Sequence, residues 1–72
     1  MKKLRRWLKK IREDRSLSQM ETAERAGISY PYYNFIENGN RRPSPEVAKR
    51  IARVLGFPDE WYKLLESVNE TA

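Results

Sequence analysis

Between residues 18 and 39 the chain reads SQMETAERAGISYPYYNFIENG, which leaves room for two short helices and a tight turn and for little else. Ser18 and Glu21 have the spacing of a capping box, in which each side chain satisfies the other residue's free backbone N–H. Gly27 supplies the positive φ that closes such a helix. Ser29 is a second N-cap, and Pro31 falls in the first turn of the following helix, where its missing N–H costs nothing. Proline also disfavours the α region in the residue before it, so this helix begins at Tyr30 or Pro31, and Gly39 ends it. Tyr33 and Ile36 then project with Ile28 toward a core. Tyr30, Pro31, Asn34, Phe35 and Asn38 share the opposite face, with Tyr32 at its margin. Tyr30, Tyr32, Tyr33 and Phe35 are four aromatics within six residues. One short helix cannot bury them all, so part of this face is expected to be exposed.

The flanking segments are amphipathic helices that need something to pack against. Leu4, Trp7, Leu8 and Ile11 fall at i, i+3, i+4 and i+7, predicting a first helix over residues 2–15 with charges on its other sides. Trp7 belongs to the core in this reading, and Lys3, Arg6 and Lys10 are free for phosphates. A basic helix carrying Trp could also lie on a membrane surface, but its apolar stripe is narrow and three further amphipathic segments require a partner face. After the polar loop 40–43, Ser44, Pro45 and Glu46 open a fourth helix with Val47, Ala48, Ile51, Ala52 and Leu55 on its inner stripe, and Gly56 stops it. Pro58, Asp59 and Glu60 open a fifth, with Phe57, Trp61, Leu64, Leu65 and Val68 on one face. The expected fold is all-α: five short helices in one compact domain over 1–68, with 69–72 a frayed tail.

Composition narrows the chemistry. The 72 residues contain neither cysteine nor histidine, which excludes disulfides, thiolate metal sites and histidine acid–base catalysis. No carboxylate pair has a histidine, metal cluster or glycine-rich loop beside it, so the reading is of a non-enzyme without cofactor, metal or evident small-molecule ligand. The basic N-terminus lacks the continuous apolar segment of a signal peptide, and a soluble cytoplasmic domain is expected. The formal charge of +5 is uneven: residues 1–15 carry eight basic and two acidic side chains, whereas 56–72 carry one and four. One face is suited to a polyanion, with an acidic end turned away from it.

Helices of this length joined by a three-residue glycine turn have the dimensions of a helix-turn-helix. The wider pattern is more specific: Arg12, then LSQMETAERAGIS, then IENG, then RRPS and a helix closing with LG. Over residues 4–65 this resembles the Cro/lambda-repressor-type (Xre) helix-turn-helix family, and that resemblance implies a lambda-repressor-like domain that binds double-stranded DNA. Gln19, heading the second helix, would contact a phosphate beside Ser18. Tyr30, Pro31, Tyr32 and Phe35 would face the base edges, Ser29 and Asn34 would be further DNA-binding residues beside them, and Asn38, Arg41 and Arg42 would meet the backbone. Arg12 and Glu37 match a buried ion pair of the family.

The chain departs from that pattern at Thr22, where Leu is usual, and at Tyr33, where Ile or Val is usual; a smaller and a larger residue facing inward compensate in volume. The base-reading positions also lack the Gln, Arg or Asn needed for bidentate hydrogen bonds. Apolar contact with thymine methyls, and readout through shape and water, are expected instead. The preferred function is a small transcriptional repressor that places residues 30–38 in the major groove. It would act as a homodimer through Trp61, Tyr62, Leu65 and Val68, with no membrane role. The rival reading is a protein-interaction module, such as an antitoxin-like partner, using the aromatic face of the third helix.

Overall fold

A computed structural model describes residues 4–66, which form four α-helices and a C-terminal 3-10 helix, with no strand among the described residues. The helices are α1 (Arg6–Asp14), α2 (Gln19–Ala26), α3 (Tyr30–Glu37) and α4 (Pro45–Leu55), followed by the 3-10 helix Pro58–Leu65. Local chemistry sets most of these boundaries. Ser18 Oγ accepts from the Glu21 N–H at 3.0 Å, and a Glu21 carboxylate oxygen accepts from the Ser18 N–H at 2.9 Å. Ser29 and Ser44 cap α3 and α4 without a return bond, their hydroxyls accepting from the N–H groups of Tyr32 and Val47. Each cap contributes about 1 kcal/mol. Gly27 and Gly56 close α2 and α4 at φ 74° and 88°, in the left-handed region that favours glycine. At Gly56 a Cβ would also sit 2.1 Å from the Arg15 guanidinium.

The core is formed by Leu8, Ala23, Ala26, Tyr33, Ile36, Ala48, Ile51, Leu55 and Leu64. α2 packs on both α3 and α4, and α4 carries the 3-10 helix along its other side. Ala23 and Ala26 are small enough to bring α2 close to its neighbours. Trp7 lies at the edge of the core, half-buried, with its ring edge-on to Phe57 at 5.6 Å. Among the described residues no helix is long and apolar enough to cross a membrane.

Two helices differ from the sequence pattern. α1 begins at Arg6 rather than near residue 2, and Leu4 is exposed rather than continuing the apolar stripe. The cause is Arg5, which has φ −83° and ψ 76° and donates its backbone N–H to the Glu37 carbonyl at 2.9 Å. With that bond Arg5 lies outside the helix with its side chain buried. The fifth helix is 3-10 rather than α, with a kink at Glu60. Phe57 provides no side-chain cap, and the first turn uses i+3 bonding, as in the Glu60 N–H to Phe57 carbonyl bond of 3.0 Å. The proposed domain end at 68, the tail at 69–72 and Val68 lie outside the described residues, as do Lys2 and Lys3.

Thr22 and Tyr33 are both fully buried. The Thr22 hydroxyl is satisfied inside its own helix by the Ser18 carbonyl at 2.9 Å, so a polar residue fits a core position without an orphaned donor. The Tyr33 ring supplies volume, and its hydroxyl is buried without a well-aligned hydrogen bond. Tyr33→Val is expected to lower unfolding free energy by about 2–4 kcal/mol through cavity formation, and Thr22→Leu by about 1–3 kcal/mol through overpacking. The double variant should be more stable than either single one in urea titrations. Strict additivity would show that the two positions do not share a volume.

Candidate nucleic-acid interface

α3 presents its two sides to different surroundings. Tyr33, Ile36 and Glu37 are buried, while Tyr30, Pro31 and Phe35 are exposed, Tyr30 and Phe35 by just over two-fifths. Tyr32 is half-buried against the core, and the Arg41 guanidinium lies over its ring, 5.8 Å from the centroid. That contact draws the basic loop after α3 toward the aromatic face. Arg41 and Arg42 are exposed, and the loop between α3 and α4 is anchored at its end by Pro43, which is fully buried. The arrangement is therefore an aromatic surface with the Arg41 guanidinium at its edge and exposed Arg42 next in the loop, on a helix whose other side is locked into the core.

A relay of side-chain amides crosses from α2 to α3. Asn38 Nδ2 donates to Asn34 Oδ1 at 3.0 Å, and Asn34 Nδ2 donates to Gln19 Oε1 at 2.9 Å. The relay fixes the first turn of α2 against the recognition side of α3. Free N–H groups and the positive end of the macrodipole make such a helix start attractive to a phosphate. The Ser18 and Ser29 hydroxyls accept from their own helices, so their place in this surface is that of caps that orient the backbone. Beside the relay lies a hollow lined by Leu4, Lys9, Arg12, Gln19, Glu37 and Asn38. Lys9 lines this hollow with Gln19 and Asn38 and, unlike Arg12, is exposed. The residue pattern singled out Lys3, Arg6 and Lys10 for phosphates and passed over Lys9, because only the packing of α1 shows which lysine shares a hollow with the start of α2.

Beneath this surface, Arg12 and Glu37 form a buried, two-pronged ion pair: Nε to Oε1 and Nη2 to Oε2, both 2.9 Å. Arg12 Nη1 also donates to the Leu17 carbonyl at 2.7 Å. One guanidinium thus fastens α1 to the α1–α2 connection and to the end of α3. Burial pushes the Glu37 carboxyl up, but the hydrogen bond from Arg12, aided by Tyr33, Gln19 and the Arg12 charge, holds it below the usual carboxylate value. The hydrogen bond to Glu37 in turn raises Arg12 despite its burial. The Tyr33 hydroxyl beside them is raised by burial first and by the Glu37 charge second.

A second arginine has a role that the sequence did not signal. Arg5 is 3 % exposed, and its guanidinium donates to the carbonyls of Ile36, Arg41 and Leu64. In a run of Lys and Arg it looks like one more solvated charge.

The candidate association surface lies on the 3-10 helix. Tyr62 is exposed, while Trp61 and Leu65 are half-buried against the core. Trp61 is further covered by the Lys49 ammonium, 4.8 Å from its ring centroid, so Tyr62 is the most available aromatic there. Among the described residues no group of three His, Cys, Asp or Glu side chains is placed to hold a metal ion.

Comparison with known proteins points one way. A family model described as helix-turn-helix matches residues 8–62, which include every described element from within α1 to within the 3-10 helix. The chain is 46% identical over 69 residues to an uncharacterized HTH-type transcriptional regulator, YqaF, of Bacillus subtilis (strain 168), covering 94% of this chain and 88% of that one. It is 35% identical over 65 residues to the ImmF control region 10 kDa protein of Bacillus phage phi105, covering 90% of this chain and 72% of the relative. An uncharacterized HTH-type transcriptional regulator of Mycobacterium tuberculosis (strain ATCC 25618 / H37Rv), Rv0474, is 39% identical over 49 residues. There the match spans 68% of this chain and about a third of the longer protein, 35% of its length.

The buried ion pair makes a prediction about acid stability. The depressed Glu37 pKa means that its stabilisation is present above the unfolded value of about 4.3 and is lost as pH falls through the lower folded value. With no histidine or cysteine in the chain, the melting temperature should be flat between about pH 6 and 8 and fall below about pH 4.5. Arg12→Met should cost about 3–5 kcal/mol at neutral pH by leaving Glu37 buried and unpaired. Arg12→Met/Glu37→Gln should recover part of that loss and show a shallower acid limb. An acid limb identical to that of the unaltered protein would show that the pair does not set it.

Proposed function

Since this chain belongs to the Cro/lambda-repressor type of the helix-turn-helix family, we propose that it binds double-stranded DNA sequence-specifically and acts as a small transcriptional repressor. The observation that carries this reading is the exposed face of α3, bordered by Arg41, Arg42 and the amide relay from Gln19. α3 enters the major groove with Tyr30, Pro31, Tyr32 and Phe35 toward the bases. The start of α2, with Ser18 and Gln19, lies against a phosphate on one side, and Asn38, Arg41 and Arg42 lie against the backbone on the other. The names of the Bacillus subtilis relative, an uncharacterized HTH-type transcriptional regulator, and of the phage relative, a control-region protein, agree with that role.

The chemistry of the face dictates how sequence is read. Tyrosine brings one hydroxyl per ring, and proline and phenylalanine bring none, so the bidentate pairings that distinguish guanine or adenine are absent from the first turn. Of the two amides on the same side, Asn34 has its carbonyl and amino groups engaged by Asn38 and Gln19, and Asn38 donates its amino group to Asn34. Specificity then comes from thymine methyl contacts and from the deformability of A·T-rich steps, with phosphate neutralisation supplying most of the affinity.

A single helix-turn-helix covers one half-site, so the active species is a homodimer on a palindrome. Trp61, Tyr62, Leu65 and Val68 supply its surface, in the segment where the chain turns acidic. Selection from random duplexes should return inverted half-sites with centres about 34–36 Å apart. Affinity should fall about a thousandfold or more between roughly 50 and 200 mM salt. Arg41→Ala should flatten the salt dependence, whereas Arg53→Ala, on the exposed side of α4, should not. Salt-insensitive binding, or equal losses in both variants, would instead favour a protein partner for the aromatic face.

A further inference from the structure

The end of α3 poses a hydrogen-bonding problem that Arg5 solves. The last carbonyls of a helix have no partner within it. Here Asn34 O is taken by the Asn38 N–H, and Phe35 O by those of Asn40 and Arg41. Glu37 O accepts from the backbone N–H of Arg5, and Ile36 O accepts from the Arg5 guanidinium as well as from the Gly39 N–H. The same guanidinium reaches the Arg41 carbonyl at 3.2 Å in the loop and the Leu64 carbonyl at 3.2 Å near the end of the 3-10 helix. Among the described residues Arg5 has no carboxylate within ion-pair distance. Its two terminal nitrogens are met by backbone carbonyls at two helix ends, where the macrodipoles are negative, and in the loop, while its buried Nε has no partner and burial, with the Arg42 charge, lowers its pKa. Such an arrangement fixes geometry more than it adds stability, because a guanidinium taken from water is repaid only by well-aligned acceptors.

What Arg5 holds is the segment that carries the basic loop. The Arg41 carbonyl is bound by Arg5, the Arg41 N–H by Phe35 O at 3.2 Å, and the Arg41 guanidinium lies over Tyr32. Arg42 follows directly. We propose that Arg5 is a positioning residue for DNA binding: by joining the end of α3, the Arg41 carbonyl and the end of the 3-10 helix, it sets where Arg41 stands relative to the aromatic face. Arg5 itself is buried and touches no nucleic acid.

This inference rests on the DNA-binding reading, and the experiment separates the two. The probes are the full chain and a duplex selected with it. Hydrogen exchange without DNA is measured first: in Arg5→Met, the Asn40 and Arg41 amides should lose protection while the Ala26 and Ile51 amides keep theirs. DNA affinity is then measured across a salt series for the unaltered protein, Arg5→Met, Arg41→Ala and the double variant. Arg5→Met should weaken binding about three- to tenfold and lower the salt slope by about 0.9 per chain bound, and it should add little once Arg41 is gone. Arg5→Lys keeps the charge without the planar fork and carries the same readouts if Arg5→Met does not fold. Unchanged exchange at Asn40 and Arg41 overturns the proposal, as does an Arg5→Met loss that persists in full in the Arg41→Ala background. A failure of the unaltered protein to bind any selected duplex would sink the DNA reading, while the exchange data would still decide whether Arg5 holds the loop.

Discussion

The fold turns on the buried, two-pronged contact between Arg12 and Glu37. It joins helices that are distant in sequence and otherwise share few direct contacts: α1 touches α3 far less than α2 does, and α4 packs mainly on α2 and the 3-10 helix. Charge burial is expensive unless each partner finds its acceptors or donors. Here both carboxylate oxygens are occupied, and the third guanidinium edge is used by the Leu17 carbonyl. The cost becomes a restriction: only one placement of α1 over the end of α3 satisfies the pair. α3 is thereby held at its C-terminus by charge, at its N-terminus by the Ser29 cap, and along its length by Tyr33 and Ile36.

That restriction explains how a helix of eight residues can expose aromatic rings without losing its place. An isolated helix this short is not stable in water. Its outer face can be given to recognition because the inner face, the caps and the amide relay supply its order. The same economy appears in the loop after it. Arg41 and Arg42 look mobile by composition, yet buried Pro43, the Tyr32 contact and the Arg5 hydrogen bond leave the backbone around Arg41 few alternatives.

The two arginines near the N-terminus show why position outweighs residue type. Arg12 was identifiable because the family resemblance pairs it with the glutamate of the IENG motif. Arg5 carries no such mark. It sits in a run of basic residues at a place where the apolar pattern suggested an uninterrupted helix, and the competing interaction is with a carbonyl thirty-two residues later, at Glu37. A periodicity argument sees neighbours at i+3 and i+4; it has no access to a backbone group that arrives by folding. The same limit applies to Lys9, whose closeness to Gln19 and Asn38 depends on how α1 is rotated against α2.

Local sequence determined a great deal of this protein. The capping box at Ser18 and Glu21, the serine caps at 29 and 44, the prolines behind them and the glycines at 27 and 56 place helix ends through interactions within a few residues of each one. The inward and outward sides of α3 followed from its periodicity, because a 3.6-residue repeat with one apolar side has one sensible orientation. Tertiary structure decided what no local rule reaches: the late start of α1, the amide relay that engages Asn34, and the burial of Arg5 among the carbonyls of Ile36, Arg41 and Leu64. Each depends on groups brought together from separate helices. Their energies exist only once the chain has folded.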